Sequence, residues 1–127
     1  MTKDRKEPRW SVEFARDFAP ELVQMADPVR QRIAALALLL EQFGPQLRRP
    51  LVDTLKGSKH PNMKELRFNA DGGVWRVAFA FDLRRRAILL VSCDKSGVSK
   101  QKFYRRLIDI ADRRFDRHLD SLTTEQK

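Results

Sequence analysis

Arg67 and Arg76 are the side chains through which this sequence most directly offers chemistry. Each lies in a short segment that alternates apolar and polar residues, Lys64-Glu65-Leu66-Arg67-Phe68-Asn69 and Val74-Trp75-Arg76-Val77-Ala78-Phe79-Ala80-Phe81. Such alternation marks a half-buried strand. Ala70-Asp71-Gly72-Gly73 between them is a four-residue turn. That length pairs Asn69 with Val74, Phe68 with Trp75 and Arg67 with Arg76. A slip of one residue would turn Arg67 in among the aromatic rings, so the hydrophobic pattern fixes the register. Two arginines directly opposite each other repel, and the small Ala78 and Ala80 leave a shallow groove beside them. A phosphate held between the guanidinium groups would relieve that repulsion. The alternative is that Glu65 and nearby aspartates neutralise the pair in a surface network.

A second basic group follows. Lys95, Lys100, Lys102, Arg105 and Arg106 are accompanied by one acid, Asp94. Cations in the first turn of a helix oppose its macrodipole and cost about a few tenths of a kcal/mol each. They also reinforce the affinity of a helix N-terminus for phosphate. For any single lysine here, an ordinary solvated face is the simpler reading. Tyr104, the sole tyrosine, falls on the apolar stripe of the same segment. It is either a core residue or a site residue, its hydroxyl reaching the groove or its ring stacking on a base. His60 and His118 are acid–base candidates by residue type. His60 falls in a loop, and His118 reads as a cap near a helix end.

Composition narrows the field. The 127 residues carry 26 Lys+Arg against 17 Asp+Glu, a net charge of +9. A small domain this basic meets an anionic partner, nucleic acid or an acidic protein, or else carries its charge for solubility. The lone Cys93 excludes a disulfide framework, and with two histidines a transition-metal site is not expected. The five glycines form no phosphate-cradling loop of the usual nucleotide-binding types. No apolar run approaches the roughly 20 residues of a membrane span. The charged first nine residues hold no signal-peptide core, so a cytoplasmic location and no membrane partner are expected.

The elements that must position these residues are legible from periodicity and punctuation. Residues 1–9 read as a disordered charged tail, 10–122 as one domain, and 123–127 as a polar tail. Trp10, Val12 and Phe14 alternate as a strand, and a mixed, helical stretch runs to about Gln24. Asp27-Pro28 opens an amphipathic helix over 28–43, with Asp27 as its N-cap, and Gly44-Pro45 closes it. Residues 45–63, with three prolines, read as loop. Strands follow over 64–69, 74–82 and 87–93, then a helix over 99–122 capped by Ser99. The order β-α-α-β-β-β-α gives an α+β fold. Its small antiparallel sheet has helices on one face and the other face open to a ligand.

Taken together, Lys-Glu-Leu-Arg-Phe, Trp-Arg-Val-Ala-Phe-Ala-Phe, the apolar strand ending at Asp94-Lys95, and Lys-Phe-Tyr-Arg-Arg-Leu-Ile-Asp-Ile-Ala-Asp resemble the RelE/HigB-like toxins of bacterial type II toxin–antitoxin systems. The resemblance is to the phage-derived HigB-like branch and spans nearly all of residues 10–122. It implies an mRNA endoribonuclease, often acting in the ribosomal A site, that inhibits translation without metal or cofactor. The substrate 2′-hydroxyl attacks the adjacent phosphate and the 5′-oxygen leaves. It further implies a helix-turn-helix, HigA-like antitoxin as cognate partner. Carried over by position, Arg67 and Arg76 match the phosphate-contacting arginines, Lys95 the basic residue after the last strand, and Tyr104 the aromatic residue opening the closing helix. Lys64, Lys100, Lys102, Arg105 and Arg106 are the implied RNA-binding cations. Glu65 stands where archetypal RelE has a lysine, and it is either the general base or the partner of an arginine. The base stays open among Glu65, Lys95 and Tyr104. Two other readings remain: a ParE-like gyrase-inhibiting toxin on the same fold, and a non-catalytic module that binds nucleic acid or an antitoxin.

Overall fold

The computed structural model describes residues 10–125. The tail expected over 1–9 and the last two residues of the expected polar tail lie outside the described residues. The elements run β1 (Ser11–Phe14), α1 (Phe18–Val23), α2 (Asp27–Phe43), a 3-10 turn (Gly44–Gln46), β2 (Val52–Thr54), β3 (Lys64–Ala70), β4 (Gly73–Phe81), β5 (Arg86–Asp94) and α3 (Lys100–Glu125). The expected α+β class holds. One element is added: β2 arises inside the stretch read as loop. Three residues are too few to show alternation, and β2 is a strand because it pairs antiparallel with β3.

The sheet order is β1-β5-β4-β3-β2. β3, β4 and β5 form the expected antiparallel meander, and Asn69–Val74, Phe68–Trp75 and Arg67–Arg76 are partners as the turn length demanded. β1 pairs parallel with β5 at one edge, so the sheet is mixed. Between β4 and β5 the register shifts: Ala78 faces Val91 and Phe79 faces Leu89, leaving Leu90 as a bulge. The Leu90 carbonyl accepts a hydrogen bond of 2.8 Å from the Arg114 guanidinium on α3.

Helices cover both faces of this sheet, where one covered face was expected. Successive residues Val77 and Ala78 are each fully buried, which requires cover on both sides of β4. α2 buries Val29, Ile33, Leu36 and Leu40 and packs on β1 and β3. α3 packs on β5 and β4 and buries Phe103, Leu107, Ala111 and Phe115. The reason lies in β5, where Ala87 to Val91 are all buried. A run apolar on both faces needs two layers, and the i, i+4 row of α3 supplies the second. α3 also continues to Glu125, past the expected end at 122.

Local details refine the expected caps. Ala26 precedes α2 in extended conformation, and Asp27 is already helical. Its carboxylate pairs with Arg30 one turn on instead of capping the backbone. Ser99 does cap α3, accepting from the Lys102 amide at 3.3 Å. His118 is no helix cap, because α3 runs on beyond it. Its Nε2 lies 2.9 Å from Asp82 Oδ2 in the β4–β5 turn. Asp82 also accepts from Arg86 Nε (3.0 Å) and from the amides of Arg84 (2.9 Å) and Arg86 (3.1 Å). Burial would raise its pKa. The His118 and Arg86 side chains and the two amides outweigh burial and hold the carboxyl below its ordinary value.

Gly44 shows how tightly the α2 end is packed. Its φ is +52°, and a Cβ there would lie 2.3 Å from the Trp10 indole nitrogen. Trp10 in turn packs edge-on against Phe81, with ring centroids 4.9 Å apart. Gly44→Ala is therefore expected to cost about 3 kcal/mol, from backbone strain plus a displaced indole. Urea denaturation followed by tryptophan fluorescence measures it, and a loss below about 0.5 kcal/mol would contradict this packing.

Candidate active site

β3 and β4 bring Glu65, Arg67 and Arg76 onto one face, and α3 lays Tyr104 across them. Arg76 Nε donates to the Tyr104 hydroxyl (3.3 Å), which donates to Glu65 Oε1 (2.9 Å). Arg76 Nε is 3.7 Å from the same Glu65 oxygen, and both side chains are 7% exposed. Arg76 Nη1 also donates to the Trp75 carbonyl at 2.9 Å. The expected open groove holding both arginines is thus corrected: Arg76 is roofed by α3. Arg67, its cross-strand partner, remains partly exposed, with Nη1 3.8 Å from Asp53 Oδ2 on β2.

Lys95 follows β5 and completes the group. Its ammonium is 5.8 Å from the centre of the Tyr104 ring, and its amide donates to the Val74 carbonyl at 2.8 Å. The loop that carries it is organised by Asp94, whose Oδ1 accepts from the Ser96 hydroxyl (2.7 Å), the Ser96 amide (2.9 Å) and the Val74 amide (3.0 Å). Asp94 was read only as a lone acid among cations, and here it is the loop's anchor. Gly73 is required beside it, because a Cβ would lie 2.8 Å from the Asp94 carboxylate.

The electrostatics follow from burial. Burial lifts the Glu65 carboxyl above its ordinary value, opposed by the Tyr104 hydrogen bond and the Arg76 charge. Tyr104 is raised as well, first by burial, with Glu65 adding to the rise. Lys95 is lowered, first by burial and then by Arg76 and Arg67. The cluster thus holds a carboxyl and a phenol that favour their protonated forms and an amine that releases its proton more readily. Groups shifted in this way cluster at functional sites and also in structural ion-pair networks.

The other expected site residues divide. Lys100 lies one turn before Tyr104 on α3 and adds to the field on Lys95. Lys102, Arg105 and Arg106 are exposed on the first turns of α3, outside the hydrogen-bonded cluster. Lys64 alternates with Leu66 and Phe68 and so belongs to the opposite sheet face. His60 does not reach the cluster: its Nε2 is 2.8 Å from Asp116, and its ring stands edge-on to Phe115. Sequence reasoning missed Asp53, because the strand that carries it has no pattern of its own. A cavity of about 260 Å³ lies against the C-terminal half of α3, lined by Phe14, Asp17, Arg114, Arg117 and His118 among others. Three of its charged side chains are already engaged, Arg117 with Asp17, Arg114 with Glu21 and His118 with Asp82. Among the described residues no cluster suits a metal ion, and no helix is long and apolar enough to cross a membrane.

The arrangement is that of a RelE-like fold. A crystal structure of the archaeal RelE–RelB complex from Pyrococcus horikoshii OT3 superposes with a TM-score of 0.51, covering 70% of this chain and 98% of that one at 18% identity. The chain belongs to the family described as Phage derived protein Gp49-like (DUF891), which matches residues 20–116, and it is RelE/HigB-like, as its motifs implied. Two Mycobacterium tuberculosis (strain ATCC 25618 / H37Rv) relatives are 48% identical to it. They are named "Putative toxin HigB2", matched over 82 residues, and "Putative toxin HigB3", matched over 83. The matches cover 64% and 65% of this chain. They span 40% of the length of HigB2 and 70% of HigB3.

The buried Glu65–Arg76 pair sets a pH-dependent test. With its pKa raised, Glu65 holds a proton in the folded chain, between its ordinary and its raised pKa, that the unfolded chain has released there. Stability contributed by that proton is present below the ordinary carboxylate pKa and lost as pH rises through the raised one. Arg76→Ala removes the stronger of the two cations, Arg76 and Arg67, that act on Glu65 and extends this loss. The variant is expected to be destabilised by about 3 kcal/mol near pH 7 and by clearly less near pH 5. Denaturant melts at the two pH values check it, and an equal loss at both would contradict the buried-charge account.

Proposed function

We propose that this chain is the toxin of a type II toxin–antitoxin pair and cleaves mRNA, with the message's own 2′-hydroxyl as nucleophile. The reading rests on one observation: Arg67, Lys95 and Tyr104 converge, partly exposed, over the buried Glu65–Arg76 pair. The 2′-oxygen attacks the adjacent phosphorus and the 5′-oxygen departs, leaving a 2′,3′-cyclic phosphate. Arg67 and Lys95 steady the charge of the phosphorane. Tyr104, hydrogen-bonded to Glu65, relays the proton, with Lys95 the second titratable group within reach. Arg76 acts through others: it orients the Tyr104 hydroxyl and offsets the Glu65 charge. Lys100, Lys102, Arg105 and Arg106 carry the backbone of the message, presented in the ribosomal A site. The names of the HigB relatives and the RelB-bound archaeal neighbour support the toxin reading and an antitoxin partner. That partner is a HigA-like helix-turn-helix protein that offers an acidic segment to this basic face.

Two outcomes test the proposal. Induced expression in bacteria, with primer extension on abundant messages, should give new 5′ ends within minutes. Tyr104→Phe, which keeps the ring, should lower cleavage about a hundredfold while circular dichroism stays native. Growth arrest with intact messages would favour gyrase as the target, and unchanged cutting by the variant would remove Tyr104 from the relay. Affinity for the antitoxin should also fall steeply between about 0.05 and 0.5 M salt. Salt-independent binding in a titration would instead mean an apolar interface.

A further inference from the structure

Asp53 stands on the edge strand β2 opposite Glu65, so its carboxylate shares the face of the site. One of its oxygens, Oδ2, serves two guanidinium groups. Arg49 reaches it with Nε at 3.2 Å and Nη2 at 2.9 Å, and Arg67 Nη1 lies 3.8 Å away. Oδ1 accepts from the Thr54 amide at 2.8 Å, which fixes the carboxylate plane. Arg67 is held there without being satisfied: its Nε is buried and has no hydrogen-bond partner. Of the two site arginines, Arg76 is locked to buried partners, while Arg67 and Asp53 are 35% and 28% exposed.

We infer that Asp53 is an internal counter-ion that holds Arg67 in the resting chain and that an RNA phosphate must displace. The inference rests on the proposed RNA substrate and deepens it. A phosphate accepts two parallel N–H bonds from a guanidinium, one of which the single long contact to Asp53 leaves unused. When Arg67 turns to the phosphate, Asp53 keeps Arg49, so the exchange strands no charge. Asp53 thereby sets a threshold: a ligand with a strongly accepting phosphodiester releases Arg67, and a weaker anion does not. It is a specificity-determining residue that acts through Arg67 and touches no substrate itself.

The test uses the full chain and a mixed-sequence, 2′-O-methylated single-stranded RNA, which the proposed chemistry cannot cut. Asp53→Asn keeps the acceptor for Thr54 and removes the charge. At about 50 mM salt it should bind this RNA about fivefold more tightly than the wild type, by fluorescence anisotropy. In an Arg67→Ala background the same substitution should give no more than about half that gain. Unchanged or weaker binding by Asp53→Asn would overturn the inference. An equal gain in the Arg67→Ala background would also overturn it, since the effect would then be net charge alone. Failure of the wild-type chain to bind would overturn it too, while the primer-extension result continues to judge the nuclease reading separately. Thermal melts by circular dichroism confirm that each variant compared is folded.

Discussion

The buried chain of hydrogen bonds from Arg76 through Tyr104 to Glu65 is the constraint around which the rest of the molecule is arranged. Two ionisable groups removed from water cost several kcal/mol unless they are paired and hydrogen-bonded. Here neither is complete without the other, and Tyr104, carried by α3, bridges them. The helix that roofs the sheet is therefore also the source of the group that makes the buried pair tolerable. Seating α3 and assembling the site are one event. Leu107 and Ala111 bury beside Tyr104 at helical spacing, so hydrophobic packing sets its depth and the polar chain sets its rotation.

α3 is divided along its length by charge. In its second half Arg113, Arg114 and Arg117 pair with Asp109, Glu21 and Asp17. Asp112 and Asp116 tie down the Ser58–His60 loop, with Ser58 Oγ 2.5 Å from Asp112 and the Lys59 ammonium 2.5 Å from Asp116. In its first two turns Lys100, Lys102, Arg105 and Arg106 have no ion pair among the described residues. The pairs to Glu21 and Asp17 and the contacts to the Ser58–His60 loop fasten the helix to the domain, and the unpaired cations leave a positive field near Lys95. A net charge of +9 would be a diffuse property if spread evenly. Four of its cations, Lys100, Lys102, Arg105 and Arg106, stand together on the first turns of α3.

Family membership and site geometry bear on different claims. The match over residues 20–116 covers β2, the meander and most of α3, and so includes every member of the buried cluster. The archaeal neighbour shares the fold at 18% identity, a level at which side-chain roles do not transfer. In this chain Glu65 is an acid in a basic site, and the fold contains it by burial and by the Arg76 guanidinium.

The amino-acid sequence by itself determined the meander and its register. A turn of fixed length between two alternating segments leaves one pairing that keeps the aromatic row inside, and Arg67 must then face Arg76. It also determined α2, α3 and the Ser99 cap, because their periodicity and punctuation are local. Three things were decided by tertiary structure. β2 exists because β3 offers an edge, and so Asp53 reaches Arg67. α3 crosses to the second sheet face because β5 is apolar on both sides. Arg76 became buried because α3 brought Tyr104 down on it. Each depends on which element covers which face, and alternation along a strand separates two faces without saying what lies above either one.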